Sequence, residues 1–114
     1  MRVSLVKEQT IINYSKKHAE SVSSCMAWIK KINKANWNKP EDMNQTFPSV
    51  SFLGKGSQKA IFNIGGNNHR IICKYRFGNT SARLYIHWLG THAEYTKLCD
   101  KGDQYRAENH KEYS

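Results

Sequence analysis

Side chains that could act on a phosphodiester are concentrated between residues 69 and 97. His92 and Tyr95 lie three residues apart, and Arg70 and His87 lie on two preceding strand-like runs. Glu94 is the only acid in this stretch. Proton-transferring groups beside cations suit an enzyme that cleaves RNA through the 2′-hydroxyl without a metal. A sheet that only binds nucleic acid would carry the same cations, so both interpretations stay open.

Each candidate has a chemical role and a structural alternative. His92 is the first choice for proton transfer, because the unperturbed imidazole pKa is near ~6.5, although a turn-forming or capping histidine is the alternative. His87 is the second choice. Arg70 can hold two phosphate oxygens with its planar guanidinium. Tyr95 could orient the hydroxyl, share a proton or stack on a base, or it could simply fill the core.

The two runs HRIICKYRF and ARLYIHW are predicted strands, whose side chains alternate between the faces of a sheet. One face is apolar and is expected to lie under two helices; it carries Ile71, Cys73, Tyr75, Phe77, Leu84, Ile86 and Trp88. The other face is expected to be open. It carries Arg70, Lys74, Arg76, Arg83, Tyr85, His87 and Leu89, and Lys59 of the preceding strand adds to its charge. Such a face suits single-stranded RNA, with cations on phosphates and a base on the tyrosine, but it could also be an ordinary solvated sheet face.

The charge of the 114-residue chain is uneven. Residues 1–97 carry 15 basic and 5 acidic side chains, a net charge of +10, whereas residues 98–114 carry 3 and 4, a net charge of −1. A strongly basic body attracts polyanions, among which nucleic acid is the commonest. We therefore expect one domain at residues 1–99 and a polar, frayed tail at residues 100–114.

The cysteines and the lack of long apolar stretches narrow the class of protein and the compartment in which it is expected. Cys25, Cys73 and Cys99 are odd in number and widely spaced, which argues against a disulfide framework or a zinc site. No run resembles a signal peptide or a membrane span. The sequence therefore predicts a cytoplasmic protein without cofactor, metal or membrane contact.

Hydrophobic spacing predicts an α+β fold. An edge strand is expected at residues 2–6, and helices at residues 7–18 and 21–34, the second with Ser21 as its N-cap. The segment 36–58 is expected to be an irregular loop packed on the core through Trp37, Phe47, Val50 and Phe52. Strands at 59–64, 69–77 and 83–89 follow, the first two joined by a tight turn at residues 65–68, and a helical turn closes the domain at residues 92–99.

Three segments resemble the HigB-type toxins of bacterial toxin–antitoxin pairs, a RelE-like group. They are residues 60–67 (AIFNIGGN), 69–71 (HRI) and 90–95 (GTHAEY), of which the last is the most specific. Weaker matches are Ala27-Trp28, residues 37–40 and residues 47–49. The resemblance covers about residues 1–98, and it implies two helices packed on a small antiparallel sheet of three to four strands.

The resemblance also implies a function. It implies an endoribonuclease that cuts messenger RNA, typically in the ribosomal A site, and that binds a HigA-type helix-turn-helix antitoxin, reaching operator DNA only through that partner. Two positions depart from the family: Thr96 replaces the usual aspartate, and His87 stands where arginine is more common. A non-catalytic RNA- or ribosome-binding module, or a co-repressor with the antitoxin, is the alternative on the same fold.

Overall fold

The computed structural model describes residues 1–54 and 56–114. Within these residues the chain forms nine helices and strands, in the order β1 (Arg2–Val6), α1 (Gln9–Lys17), α2 (Val22–Lys34), α3 (Met43–Thr46), β2 (Ser51–Leu53), β3 (Lys59–Ile64), β4 (His69–Phe77), β5 (Ser81–Thr91) and α4 (His92–Asp100). Single 3-10 turns lie at Ala19–Ser21, Pro40–Asp42 and His110–Tyr113. The predicted α+β class is confirmed. Among the described residues, none of the helices has the length and apolarity needed to cross a bilayer.

One sheet holds all five strands in the order β1-β5-β4-β3-β2. The pairs β2–β3, β3–β4 and β4–β5 are antiparallel. The pair β1–β5 is parallel, with Arg2 opposite Ser81 and Val6 opposite Tyr85. The edge position of β1 agrees with the prediction. The resemblance implies three to four antiparallel strands, whereas the sheet has five strands, one of them parallel. The difference arises because β1 pairs in parallel with β5 after a long connection and because β2 forms inside the predicted loop.

The turn between β3 and β4 is the tight hairpin that the sequence predicts. Gly65 and Gly66 have φ angles of 64° and 66°, and the Asn68 amide donates to the Gly65 carbonyl at 3.2 Å. Positive φ favours glycine, so this turn depends on residue type.

A β-bulge in β5 interrupts the predicted alternation of side chains. Ile86 and Trp88 pair with the adjacent residues 73 and 72 of β4, so His87 is the extra residue. Trp88 therefore packs with Ile72 on the open face, and Leu89 enters the core beneath the helices. The prediction for Trp88 and Leu89 was wrong, because one extra residue exchanges the two faces for everything that follows it.

The main core lies between the helices and the inner face of the sheet. Its helical members recur at the predicted spacing and are Ile11, Tyr14, Cys25, Trp28, Ile29 and Ile32. Val22, at the start of α2, is 40% exposed and lies outside this core.

Ser21 does not cap α2. Its Oγ donates to the His18 carbonyl at 2.7 Å instead of accepting from an amide of the first turn. The preceding 3-10 turn runs directly into α2 and leaves Ser21 with helical dihedral angles, so the extended cap conformation is absent.

The segment between α2 and β3 has more structure than a loop. It contains a 3-10 turn, α3 and β2. Trp37, Phe47 and Val50 are buried as predicted, and Trp37 Nε1 donates to Thr46 Oγ1 at 3.0 Å. Phe52 is 38% exposed on the edge strand β2, so its predicted place in the core was wrong.

The last fourteen residues lie against the fold. The Asn109 side chain donates to the Leu89 carbonyl at 2.7 Å and accepts from the Leu89 amide at 2.8 Å. Farther on, Asn13 of α1 donates to the Tyr113 carbonyl at 2.7 Å. The terminal segment thus contacts β5 beyond the end of β1 and reaches α1, while the flexibility expected of residues 100–114 stays a prediction.

Candidate functional site

A cavity of about 380 Å³ opens on the outer face of the sheet and is lined by Lys74, Arg76, Tyr85 and His87; we call it the basic pocket. Lys74 lies opposite Tyr85 in the β4–β5 ladder, and Arg76 lies opposite the exposed Arg83. Strand alternation places these side chains together, as the sequence predicts for this half of the face.

His87 enters the basic pocket from the bulge. Its carbonyl accepts from the Asn109 amide at 2.9 Å and from His110 Nδ1 at 3.1 Å, so the terminal segment fixes its backbone. Its ring stacks on His110 with centroids 5.9 Å apart, and its Nδ1 lies 3.6 Å from a Glu108 oxygen. Bulges often re-aim a side chain next to a functional site.

The pKa of His87 is lowered. Burial is the largest cause, followed by the charge of Lys59, with smaller contributions from His110 and Lys74; Glu108 opposes them. Because the ordinary imidazole value is about 6.5, the lowered pKa leaves His87 neutral at pH 7. A neutral imidazole beside cations can accept a proton but does not bind phosphate as a cation would.

Lys59 lies next to the terminal segment. It is 9% exposed, and its ammonium donates to the Tyr105 carbonyl. Burial lowers its pKa, and nearby Lys74 adds to the effect. Lys59 therefore contacts the terminal segment and contributes to the basic pocket through its positive charge, which is the contribution expected from the sequence.

A second group of candidates meets at the β3–β4 turn. Arg70 donates from Nη2 to Asn67 Oδ1 at 2.5 Å and from Nη1 to the Asn67 carbonyl at 3.3 Å. Its Cζ lies 5.8 Å from the centroid of the Tyr95 ring. The guanidinium is thus held by the turn and by an aromatic face, and it remains partly exposed.

Tyr95 is a neutral phenol in this environment. Burial is the first cause of its raised pKa and contact with Cys99 the second, while Arg70 acts in the opposite direction. A phenol that stays protonated can donate a hydrogen bond or stack, but it cannot serve as the base at neutral pH.

The segment at residues 90–95 is largely structural. Thr91 caps α4: its Oγ1 accepts from the Glu94 amide at 3.2 Å, and the Thr91 amide donates to Glu94 Oε1 at 2.8 Å. This is a capping box, so the single acid of the region has a structural role. His92 is the first residue of α4 and its side chain is exposed. The His92 amide donates to the Asn68 carbonyl at 2.9 Å.

The two groups are separated along the sheet. Ile61, Ile72 and Trp88 form a small cluster between them, covered by Tyr95 and by Leu98 and Ala107. Arg70 and Lys74 are four positions apart on β4, which is about 13 Å along a strand. The cationic face that the sequence predicts as continuous is therefore interrupted by this apolar cluster.

Sequence reasoning missed the residues of the terminal segment that contact His87. Glu108 and His110 lie in a polar stretch without motif or periodicity, and their contacts are partly to backbone atoms, which leave no pattern in the sequence. The lowered pKa of His87 was also not foreseeable, because it depends on burial that the bulge creates.

Comparison with known proteins places the chain in a family. Residues 21–98 match HigB_toxin, the RelE-like toxic component of a toxin-antitoxin system. The mRNA interferase toxin HigB of Escherichia coli K12 is 28% identical over 91 residues, covering 80% of this chain and 86% of the relative. The mRNA interferase HigB of Shigella flexneri has the same values, and that of Escherichia coli O6:H1 is 26% identical over 84 residues, 74% and 80% of the two chains.

The family match spans α2, the whole β2–β5 region and most of α4, and therefore both groups of candidate residues. The predicted resemblance is confirmed: the chain belongs to the HigB toxin family, the RelE-like toxic components of toxin–antitoxin systems.

Proposed function

We propose that this toxin is an endoribonuclease that cleaves messenger RNA by attack of the 2′-hydroxyl on the adjacent phosphate, with the basic pocket as its active centre. The observation that carries the proposal is a neutral, partly buried imidazole beside exposed cations in a cavity of about 380 Å³. The names of the relatives, mRNA interferases, support the same reaction.

His87 is the proposed base. Its lowered pKa keeps the ring neutral, so it can accept the proton of the 2′-hydroxyl as the oxygen attacks phosphorus. A positioned acid–base group typically contributes about 10²–10⁴-fold to the rate. The family more often has arginine at this position, and histidine changes the role from a fixed cation to a group that can move a proton.

Lys74 and Arg76 supply the charge that the reaction needs. Both are exposed and line the basic pocket, so they can offset the negative charge that develops on the phosphorane. The Lys74 ammonium donates the proton that the departing 5′-oxygen requires, and Tyr85 offers a ring for base stacking. These four lining residues include no carboxylate, so they offer none of the oxygen ligands that magnesium prefers.

The group at the β3–β4 turn has a different role in this proposal. Arg70, Tyr95 and His92 bind a neighbouring nucleotide, since a separation of about 13 Å places them beyond the scissile phosphate. Arg70 holds its phosphate, and the neutral Tyr95 stacks or donates a hydrogen bond. His92, the first choice from the sequence, becomes a binding residue.

The biological setting follows the family. We propose that cleavage occurs in the ribosomal A site, which inhibits translation in the cytoplasm, and that a HigA-type helix-turn-helix antitoxin neutralises the toxin and carries it to operator DNA. The net charge of +9 suits contact with ribosomal RNA, and exposed lysines of α2 (Lys30, Lys31 and Lys34) offer one such surface.

The test compares single variants after induced expression, with 5′ ends mapped on translated messages and growth followed in parallel. His87→Gln is expected to slow cleavage by about 10²–10⁴-fold and to abolish growth arrest, while thermal unfolding shows a folded chain. Lys74→Gln is expected to weaken cleavage strongly. Lys97→Gln in α4 removes the same charge outside the pocket and serves as its matched control.

His92→Gln separates this site from the competing one. Activity retained in His92→Gln but lost in His87→Gln supports the basic pocket, and the reverse pattern moves the chemistry to the β3–β4 turn. Salt-sensitive RNA binding without new 5′ ends in the parent chain would instead identify a non-catalytic binding module.

A further inference from the structure

The start of β4 faces a cluster of potential metal ligands on the helix side of the sheet. His18 and Glu20 follow α1 with one residue between them, and His69 begins β4. One ligand atom from each lies within 4.8 Å of the other two. The cluster is on the opposite side of the sheet from the basic pocket, because His69 contacts Tyr14 of α1.

The orientation of His69 is fixed. Its ring is buried, 3% exposed, and Nδ1 shares a hydrogen bond of 2.8 Å with the Tyr14 hydroxyl. That contact leaves Nε2 directed at Glu20, with 3.2 Å between Nε2 and Oε1. Metal-binding histidines usually have the second ring nitrogen held in this way, which sets the tautomer and the ring orientation.

His18 is held next to the same space. Its ring stacks on Tyr14 with centroids 4.2 Å apart and an interplanar angle of 25°, and its centroid lies 5.5 Å from that of His69. An ion pair alone would explain why Glu20 lies next to His69. It would not explain why the imidazole of His18 also lies beside these two side chains. Tyr14 thus positions both histidines, one by a hydrogen bond and one by stacking.

One of the three separations between ligand atoms matches that in a tetrahedral site. Metal–ligand bonds of about 2.0–2.1 Å at the tetrahedral angle place two ligand atoms roughly 3.3 Å apart. The separation of 3.2 Å between His69 Nε2 and Glu20 Oε1 has this value. Two imidazoles and one carboxylate favour zinc and its first-row neighbours over magnesium or calcium, which prefer oxygen ligands throughout.

We propose that His18, Glu20 and His69 form a binding site for a divalent transition-metal ion, with Tyr14 as the residue that orients the histidines. The ion takes the position of the hydrogen on His69 Nε2, and the ring hydrogen on Nδ1 is then donated to the Tyr14 oxygen. Three protein ligands leave a fourth position for water or for a ligand from a partner. The ion joins the end of α1 to the start of β4.

This site is independent of the nuclease proposal, since it shares no residue with the basic pocket. Its position has a structural consequence. His69 lies opposite Thr91 in the ladder, next to the capped start of α4, so the ion would stabilise the junction at which α1, β4 and α4 meet.

The experiment titrates the full chain, freed of metal by a chelator, with Zn²⁺ and with Co²⁺. The expected result is one ion bound per chain, an unfolding temperature that rises until one equivalent is added, and a Co²⁺ visible spectrum of tetrahedral nitrogen and oxygen ligation. Mg²⁺ is expected to cause no shift. Binding of the folded state alone is what raises the unfolding temperature.

Two variants make the assignment specific. His18→Phe keeps the ring stacked on Tyr14 but has no ligand atom, and Glu20→Ala changes a side chain that is 66% exposed, so both are expected to fold and to lose binding at least tenfold. Glu41→Ala, which changes an exposed carboxylate in the 3-10 turn after α2, is the control that retains it. Absence of saturable binding, binding unchanged in both variants, or a sulfur-to-cobalt charge-transfer band from a cysteine would each overturn the proposal.

Discussion

Gly90→Ala gives a direct test of how α4 is seated on the sheet. A Cβ at position 90 would lie 2.3 Å from Cη2 and 2.6 Å from Cζ2 of the Trp88 indole. The indole is 8% exposed and packs on Tyr95 at a centroid distance of 6.0 Å, so it has little room to move. Overpacking of this kind costs about 1–3 kcal/mol.

For a domain of this size each kcal/mol lowers the unfolding temperature by about 4 °C or more, so a decrease on the order of 4–12 °C is expected in a thermal melt. Gly54→Ala is the matched control, because a Cβ there meets no atom of the described residues within 4 Å, its chain neighbours apart.

The decisive comparison introduces Gly90→Ala into a Trp88→Phe variant. Phenylalanine lacks the outer ring atoms that the new methyl group would contact. In that background Gly90→Ala is expected to cost less, with a coupling free energy of about 0.5–3 kcal/mol in the double-mutant cycle. An unchanged melting temperature for Gly90→Ala, or an equal loss in both backgrounds, would refute the reasoning that the indole dictates glycine at position 90.

Three further outcomes are expected. Burial, and then nearby cations, lower the pKa of His87, so the unfolded chain takes up a proton at this position more readily than the folded chain. The free energy of unfolding should therefore fall as the pH drops below about 6.5. Urea unfolding at two pH values should show a smaller fall for His87→Gln than for the parent chain. Thr91→Ala removes the cap that pairs with Glu94 and should lower the free energy of unfolding by about 0.5–2 kcal/mol in urea titration, without changing the slope. Asn109→Ala removes both hydrogen bonds to Leu89 and should cost about 1–3 kcal/mol while speeding hydrogen exchange of the Leu89 amide; unchanged exchange would contradict the edge contact.

Periodicity was sufficient for most of the elements, but not for α3 and β2, and for one half of the site. Apolar spacing located α1, α2 and the three central strands, and alternation placed Lys74, Arg76 and Tyr85 on one face. These features depend on neighbours in the sequence, so the sequence carries them locally.

The bulge at His87 could not be predicted in the same way. The run from Leu84 to Trp88 alternates without interruption, and only the pairing with β4 shows that one residue is extra. Because the bulge exchanges the faces beyond it, this single tertiary feature accounts for the misplaced Trp88 and Leu89.

The most specific motif carries structural roles that its residue types do not reveal. Residues 90–95 suggest chemistry by their types, yet Gly90 accommodates an indole and Thr91 and Glu94 cap a helix. Strict residue requirements arise from close packing and from caps as well as from catalysis. The catalytic roles that the sequence predicts for Arg70, Tyr95 and His92 stay a prediction.

The parallel pairing of β1 with β5 has a consequence for synthesis of the protein. The first strand of the chain has β5 as its sheet neighbour, and its last residue, Val6, pairs with Tyr85. Contacts between such distant positions form slowly, because a long loop must close first. During translation the strand β1 therefore waits without its partner until synthesis has passed residue 85, so the sheet of a nascent toxin stays incomplete while helices α1 to α3 and strands β2 to β4 are being made.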